Sequence, residues 1–465
     1  MANGLRKARA GRRALAVCAV VAAFVTAPAL STGWIAKAAD PPSWTLFVAN
    51  REDATVSPVD VATKVAGAPI DVDRTPEGVA ITPDGATAFV TTASGVTPID
   101  VDKRTAGPTI DVSGGPEGVA ITPDGTTAFV TTNATGEVVP IDVATRTAGT
   151  PIPVAVGGGA SGVAITPDGT TAFVTVTHAD GELVPIDVAT RTAGTPIPVG
   201  PFPEGPAITP DGATVFVANG DPMGPGTVTP VDVATRTAGT PIPVPSLADT
   251  VAITPDGATA FVASALPSED PPPDAANVVT PIDVATRTAG PPIAVDPRPS
   301  SIAITPDGAT AFVGSFAFFA SDALTTIQPI DVASRTVGER ITVGKNPSAL
   351  AITPDQAPVA KLSVSPGFAG QPTTFDASAS TVRFGTITSF AWDFGDGSPP
   401  VTTSTPTTTH VYATPGAYTV RVTETDSART STTKVLTGQT MSRRGDPSAI
   451  ATATVQVQAV PRFTG

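Results

Sequence analysis

Short apolar runs and alternating apolar positions recur along most of this chain. One copy reads Gly118-Val-Ala-Ile-Thr-Pro-Asp-Gly, then Ala128-Phe-Val-Thr-Thr, then Val139-Pro-Ile-Asp-Val-Ala-Thr-Arg-Thr-Ala-Gly, and closes with Pro151-Ile-Pro-Val. Such short β-branched and alternating segments are typical of strands, so each copy predicts four strands. Ala-Ile-Thr-Pro-Asp occurs seven times, and its aspartates lie 40 to 51 residues apart. Repeats of this length predict an all-β fold that begins with a seven-bladed β-propeller.

The polar positions between the strands predict tight turns. In Pro-Asp-Gly, proline fixes its own φ, aspartate can accept a hydrogen bond from the backbone two residues on, and glycine tolerates a positive φ. We therefore interpret the repeated aspartates as turn formers rather than as acidic sites, and they are Asp84, Asp124, Asp168, Asp211, Asp256, Asp307 and Asp355. Pro140 and its equivalents fall inside the third strand, where a missing N–H removes a ladder bond. We expect a bulge or a strand start there.

The first and last repeats are incomplete in complementary ways. The chain enters the pattern at the second strand, Trp44 to Asn50, whereas the seventh Ala-Ile-Thr-Pro-Asp, at Ala351 to Asp355, has no Phe-Val segment after it. Joined in space, the two pieces form one complete blade. We therefore predict a closed circle of blades without a free sheet edge.

The repeat resembles a known family. Phe-Val-Thr-Thr and Phe-Val-Ala-Asn, followed by Val-x-Pro-Ile-Asp and Gly-Val-Ala-Ile-Thr-Pro-Asp-Gly, look like the YVTN-type repeats of bacterial secreted proteins and archaeal surface-layer proteins, which are β-propellers. Phenylalanine replaces the tyrosine of the family name in every copy. The resemblance covers residues 42–356 and implies the fold, but it transfers no catalytic residue.

A second unit is predicted over 357–460, where the repeat stops. Phe390-Ala-Trp-Asp-Phe-Gly-Asp-Gly-Ser and His410-Val-Tyr-Ala-Thr-Pro-Gly-Ala-Tyr resemble a PKD domain, which implies an immunoglobulin-like β-sandwich. Trp392 would fill the space between the two sheets. The polar insertion from Ser427 to Ser448 predicts a loose loop.

The N-terminus predicts export. Five basic residues precede an apolar run from Ala14 to Val25 and two small-residue cleavage sites, after Ala29 or Ala38, so residues 1–38 are interpreted as a signal peptide rather than as a membrane span. Cleavage removes Cys18, the only cysteine, and changes the net charge from −14 to −20 because the leader holds six basic and no acidic residues. A surface so acidic disfavours nucleic acid as a partner. We expect an extracellular protein, secreted or associated with the cell surface.

Loop lengths vary on one face of the predicted propeller. The links between second and third strands grow to Asn219-Gly-Asp-Pro-Met-Gly-Pro-Gly and longer, whereas the other hairpins stay constant. Binding residues of repeat proteins concentrate in such loops, although drift in loops without a structural duty predicts the same variation. The candidates for a binding face are His178, Asp180, Phe316, Phe318 and Phe319.

Carboxylates recur where the first strand begins, namely Glu77, Glu117, Glu204 and Asp249. They could surround the mouth of the central channel, where calcium, which takes six to eight oxygens, is the one cofactor to consider. The equivalent residues of the other three blades are Ser161, Ser300 and Ser348, so we favour solvated charge over a metal site.

Catalysis receives little support from the sequence. The chain has two histidines, His178 and His410, and no marked nucleophile, so no catalytic residue is assigned. We predict a non-catalytic binding protein that is a monomer, with the propeller as the platform for an extracellular protein or polysaccharide and the PKD domain as a spacer or adhesion module. An extracellular propeller enzyme of the lactonase or lyase type and a structural protein of the cell envelope are the alternatives.

Overall fold

The computed structural model describes residues 44–154, 157–220, 225–265, 277–316, 324–383, 386–427 and 447–460. In these ranges the chain is all β, apart from one 3-10 turn at Pro447–Ala449. The predicted signal peptide and Cys18 lie outside the described residues, as does most of the predicted insertion loop.

Seven small antiparallel sheets form the blades of a propeller, which confirms the predicted fold and blade number. In each blade the first strand is innermost and the outer strand consists of short pieces. In chain order from the first to the outer strand, blade 1 contains Val79–Ile81, Thr87–Thr92, Gly95–Asp100, Thr105–Ala106 and Ile110–Asp111. Blade 2 contains Pro116–Ile121, Thr127–Thr132, Glu137–Asp142, Thr147–Ala148 and Ile152–Pro153. Blade 3 contains Gly159–Ile165, Thr171–Thr177, Glu182–Asp187, Thr192–Ala193 and Ile197–Pro198.

The remaining blades repeat this order. Blade 4 contains Pro203–Ile208, Thr214–Asn219, Thr227–Asp232, Thr237–Ala238 and Ile242–Pro243. Blade 5 contains Leu247–Ile253, Thr259–Ala265, Val278–Asp283, Thr288–Ala289 and Ile293–Ala294. Blade 6 contains Pro299–Ile304, Thr310–Ser315, Thr326–Asp331 and Ile341–Thr342. Blade 7 contains Pro347–Ile352, Thr45–Asn50, Thr55–Asp60, Val65–Ala66 and Ile70–Asp71.

Blade 7 closes the circle in the predicted way. Its first strand, Pro347–Ile352, comes from the end of the repeat region and pairs antiparallel with Thr45–Asn50, with Leu46 opposite Ile352. Asp355 is fully buried and accepts a hydrogen bond of 3.3 Å from Trp44 Nε1. The interpretation of Asp355 as a turn former was therefore wrong, because no second strand follows it and its carboxylate helps to close the circle instead. The other six aspartates do form the predicted turns, each accepting a hydrogen bond from the threonine two residues before it.

The core of the propeller lies between its blades. The phenylalanine of each second strand is fully buried and packs against the strands of the next blade, as Phe47 does against Ile81, Ala88 and Val90. Burying a phenylalanine contributes roughly 1.5–3 kcal/mol. Because every blade places one large side chain into its neighbour, stability depends on the completed circle rather than on a single blade.

The third-strand prolines show a regular ladder, so the expected bulge or strand start was wrong. Pro140 lies within Glu137–Asp142 and directly opposite Phe129, without a shift in register. Its carbonyl accepts a hydrogen bond of 2.7 Å from Gly149 N, where the outer strand is interrupted between Thr147–Ala148 and Ile152–Pro153. The missing N–H therefore points toward a gap in the sheet and removes no ladder bond.

The C-terminal unit is the predicted two-sheet sandwich. One sheet contains Ser363–Val364, Pro372–Asp376 and Thr407–Val411. The other contains Gly367–Phe368, Ile450–Gln458, Gly416–Asp426, Ile387–Asp393 and Val401–Thr403. Trp392 is fully buried between the sheets, with Phe375 and Tyr412 in the same cluster. Asp393 and Asp396 each accept a hydrogen bond from the backbone N–H two residues later and so form turns.

Candidate functional site

A β-bulge at the start of the first strand positions the candidate acids. In blade 2 the register changes between Pro116 and Val119, so Glu117 and Gly118 together face one residue, Thr131, of the second strand. The same shift occurs at the equivalent place in blades 3 to 7. A bulge redirects a side chain out of the regular pleat. In blade 1, Glu77 N donates to the Thr91 carbonyl and Thr91 N donates to the Gly78 carbonyl, so Glu77 and Gly78 likewise face one residue. We call the first residue of each such pair, or the inserted residue, the mouth position, and the seven are Glu77, Glu117, Ser161, Glu204, Asp249, Ser300 and Ser348.

Threonine hydroxyls satisfy the backbone at three of these bulges. Thr91 Oγ1 accepts a hydrogen bond of 2.7 Å from Gly78 N and donates one of 2.6 Å to the carbonyl of Glu117 in the next blade. Thr175 makes the same pair of bonds to Gly162 N and the carbonyl of Glu204, both at 2.8 Å. The hydroxyl thus provides a partner for the N–H that the bulge removes from the ladder. It also fixes the mouth position of the neighbouring blade.

All seven mouth positions line one central cavity of about 1080 Å³. Its wall continues along the first strands with aliphatic side chains, among them Val119, Val163, Ile208 and Leu350. Residues that connect second to third strands, such as Asn133, and residues before the first strands, such as Thr75, also line it. The cavity therefore includes the face where the loop lengths vary, and it extends along the channel to the Pro-Asp-Gly turns of the opposite face at Pro83, Pro123 and Pro167. A concave, largely apolar space with a few polar groups is the usual form of a ligand site.

Two of the four carboxylates have clear side-chain partners at the rim. Arg51 Nε donates a hydrogen bond of 2.5 Å to Glu77 Oε1, and the Arg51 guanidinium lies 5.0 Å from the centre of the Phe316 ring. Asn133 Nδ2 donates a hydrogen bond of 2.8 Å to Glu117 Oε2. The charge of Glu77 is therefore balanced by a cation, whereas Glu117 is held by a neutral amide.

The other two carboxylates, Glu204 and Asp249, are half-buried and have no cationic partner in the cavity lining that the structure describes. Burial raises the pKa of Asp249 to about 7, and the Glu117 carboxylate adds to that shift. Burial likewise raises the pKa of Glu204 well above its usual range, with Asp249 and Glu117 adding repulsion and a hydrogen bond with Ser161 opposing the shift. Burial also raises the pKa values of Glu117 and Glu77, opposed by the bonds from Asn133 and Arg51. The mouth positions of blades 2, 4 and 5 are thus electrostatically coupled.

The binding-face candidates have separate environments. His178 forms the turn after the second strand of blade 3, where its Nδ1 accepts hydrogen bonds from Asp180 N and Gly181 N at 3.3 and 3.2 Å. Asp180 is exposed at that turn, and neither residue lines the cavity. Phe316 is half-buried and does line it. Phe318 and Phe319 lie outside the described residues.

A metal site would require the carboxylates to converge on one point. Among the described residues, no three His, Cys, Asp or Glu side chains converge closely enough to hold a metal ion. Glu77, Glu117, Glu204 and Asp249 come from four different blades around a wide cavity. The sequence favoured solvated charge over a calcium site, and a calcium titration followed by melting temperature would test that prediction.

Sequence reasoning missed the residues that hold the mouth positions. Arg51 and Asn133 belong to turns that differ in sequence between blades, so no periodicity marked them. A signal for the threonines was present, because Thr91, Thr131 and Thr175 share one position two residues after the repeated phenylalanine. Their partners lie across a bulge and across a blade interface, and neither is encoded by spacing.

Comparison with known families supports the C-terminal unit. Residues 355–439 match the model of the PKD domain, as the sequence motifs predicted. Domains of this family are typically extracellular modules of the adhesion type. No curated protein sequence matches the chain. In the ranges that the structure describes, no helix has the length and apolar character needed to cross a membrane.

Solved structures share the propeller architecture. Hydrazine synthase of Kuenenia stuttgartiensis aligns with a TM-score of 0.52 and 21% identity, over 59% of this chain and 88% of that one. A functionally unknown protein from Desulfotomaculum acetoxidans DSM 771 aligns with a TM-score of 0.54 and 18% identity, over 67% of this chain and 99% of that one. At such identities the similarity concerns the fold alone.

Proposed function

We propose that this chain is a secreted or cell-surface binding protein of the YVTN-repeat type, whose propeller binds its ligand in the central cavity and whose PKD domain is a spacer or adhesion module. The observation that carries the proposal is the cavity of about 1080 Å³, whose mouth is formed by the same bulged position of all seven blades. The bulge inserts one extra residue into the first strand of each blade, and that residue faces the opening of the cavity. A fold that needed only a closed channel would not require charged side chains there.

The attachment of the sandwich supports the spacer role. Arg383 forms an ion pair of 2.8 Å with Asp102 and donates a hydrogen bond of 2.8 Å to the carbonyl of Asp84. Both partners belong to turns of blade 1 on the face opposite the cavity mouth. The contact leaves the variable face open to a ligand.

A narrowed cavity mouth is the test of this proposal. Ala93 is exposed and lines the cavity in the turn after the second strand of blade 1, so Ala93→Leu would narrow the opening without adding charge and without entering the core between blades. We expect ligands that raise the Tm of the wild-type chain in a broad screen of small molecules, sugars and peptides to lose that effect in Ala93→Leu. The matched control is Ala285→Leu, in an exposed turn on the opposite face, which should keep it. Ligands that stabilise all three chains equally would place binding elsewhere and contradict the proposal.

One observation favours a catalytic alternative. A carboxyl whose pKa is about 7, as burial gives Asp249, is suited to general acid or base work. In an enzyme of the lactonase or lyase type, a ligand found by the same screen would be converted by the wild-type chain and bound unchanged by Asp249→Asn. Binding without turnover in both chains would favour the non-catalytic role.

A further inference from the structure

Blade 1 departs from the repeat in the turn between its third and outer strands. The other six blades read Asp-Val-Ala followed by Thr or Ser in this turn, whereas blade 1 reads Asp100-Val-Asp102-Lys103. Lys103 N donates the hydrogen bond of the turn to Asp100 Oδ1 at 2.9 Å, as in the other blades. The turn therefore forms with alanine at the third position, and the carboxylate of Asp102 is an addition to it. The residues equivalent to Asp102 are Ala62, Ala144, Ala189, Ala234, Ala285 and Ala333.

The partner of Asp102 lies in the sandwich. Arg383 Nη2 donates a hydrogen bond of 2.8 Å to Asp102 Oδ1, and Arg383 Nη1 donates one of 2.8 Å to the carbonyl of Asp84. Asp84 belongs to the repeated Pro-Asp-Gly turn, so six blades offer an equivalent carbonyl, but the carboxylate is specific to blade 1. The Asp102 side chain is 78% exposed, and an exposed ion pair contributes orientation more than affinity. Asp102 thus distinguishes blade 1 from turns that are otherwise alike.

The segment that connects the two units is buried. Every residue from 353 to 358 is buried, whereas a flexible linker between domains is exposed and rich in small polar residues. Gln356 occupies the place that glycine has in the other Pro-Asp-Gly turns. Its Nε2 donates hydrogen bonds to the carbonyl of Pro83 in blade 1 at 2.8 Å and to that of Pro354 at 3.3 Å. The connecting segment therefore contacts the same blade as Arg383.

We infer that the sandwich is docked on blade 1 as a rigid extension of the propeller, and that Asp102, Arg383 and Gln356 specify this arrangement. Burial of the connecting segment holds the two units together, and the charged contact determines which blade the sandwich meets. The surface of blade 1 formed by Asp102 and the carbonyls of Pro83 and Asp84 accepts donors from an arginine and an amide. Docking on this surface is independent of whether the cavity holds a ligand. It gives the cavity mouth, on the opposite face, a fixed direction relative to the sandwich.

Distances between two spin labels test this docking. Because Cys18 is the only cysteine, the full chain with Cys18→Ser can be labelled at chosen sites. Ala234→Cys in blade 4 and Ala413→Cys in the sandwich, both exposed, give the distance between the units. Ala144→Cys with Ala234→Cys gives a reference distance within the propeller. We expect the distribution between the units to be no more than about 1.5 times as wide as the reference, since a docked sandwich does not move on its linker.

Variants of the contact test which residues specify the docking. Arg383→Ala removes both bonds to blade 1 and should broaden the distribution between the units at least about twofold. Asp102→Lys should broaden it as well because it places two cations together. Lys103→Thr is the matched control, since Lys103 pairs with Asp100 inside its own turn and Thr is the residue of most other blades. It should leave the distribution unchanged. An unchanged reference distance and melting curve would show that each variant is folded.

Two results would overturn the inference. A broad distribution in the parent chain would show that the sandwich moves freely on its linker. Equally narrow distributions in the parent, Arg383→Ala and Asp102→Lys would show that these residues do not determine the docking. Neither result bears on the cavity as a ligand site, which the Ala93→Leu comparison tests separately.

Discussion

Replacement of Asp249 by asparagine should make the protein more stable at alkaline pH. Burial raises the pKa of this carboxyl from 3.8 to about 7 in the folded chain. Between pH 3.8 and about pH 7 the Asp249 carboxyl is ionised in the unfolded chain but stays protonated in the folded chain. Ionisation therefore favours unfolding, and the stability that depends on Asp249 falls as the pH rises from about 4 to about 7.

The magnitude follows from the shift. Each pKa unit corresponds to about 1.4 kcal/mol, so the full shift corresponds to about 4 kcal/mol. Asp249 is only half-buried and lines an open cavity, where solvent screens the charge. We therefore expect a gain of about 1–2 kcal/mol in the free energy of unfolding of Asp249→Asn above pH 7, and no gain at pH 4.

Urea unfolding followed by circular dichroism at pH 4 and pH 8 would measure this difference. Asp180→Asn, which removes an exposed carboxylate from a turn on the same face, should shift neither curve by more than about 0.5 kcal/mol. A variant that is equal to the wild type at pH 8, or less stable than it, would show that the carboxylate is solvated or paired there. Either outcome would refute the desolvated cavity mouth.

Three further outcomes test the rest of the structure. Thr131→Val loses the hydrogen bonds to Gly118 N and to the Ser161 carbonyl and should lower the free energy of unfolding in urea by about 1–3 kcal/mol. Thr105→Val, on an exposed outer strand, is the control and should leave the free energy of unfolding unchanged. Equal unfolding curves for the two variants would show that the backbone at the bulge needs no hydroxyl partner. Deletion of residues 44–72 should expose two sheet edges and give oligomers on size-exclusion chromatography, and a monomer with unchanged Tm would contradict the closure in blade 7. Pro140→Ala should change the free energy of unfolding by less than about 1 kcal/mol, since no ladder bond is regained at the gap in the outer strand, and a larger gain would mean that the gap closes.

The repeat was sufficient to predict the architecture. Seven copies of Ala-Ile-Thr-Pro-Asp gave the blade number, and the missing pieces at Trp44 and after Asp355 gave the closure. Both depend only on counting identical segments, because each blade must bury the same face against its neighbour. The equivalence of Glu77, Glu117, Glu204 and Asp249 was visible for the same reason.

Features that depend on two blades at once were not predictable. The bulge that turns Glu117 into the cavity follows from a register shift against the second strand. Its mark in the sequence is the glycine after the mouth position in four blades, at Gly78, Gly118, Gly162 and Gly205, which the strand pattern alone did not interpret. Pro140 needs no bulge because the outer strand beside it is interrupted, and that break lies in a different strand from the proline itself. Whether an acid is neutralised depends on rim residues such as Arg51 and Asn133, which lie in turns outside the repeat.

The closing blade also determines how the molecule would respond to force. The chain leaves the propeller toward the sandwich at Ile352 and enters it at Thr45, and these two ends lie side by side because Leu46 is opposite Ile352. Tension between the ends would therefore open the pair one hydrogen bond at a time, starting at the contact of Trp44 with Asp355, rather than shear all its bonds together. If both ends of the propeller were held, the circle would yield at a low and gradual load, and the cavity mouth at the far end of the same strands would be the last part of blade 7 to separate.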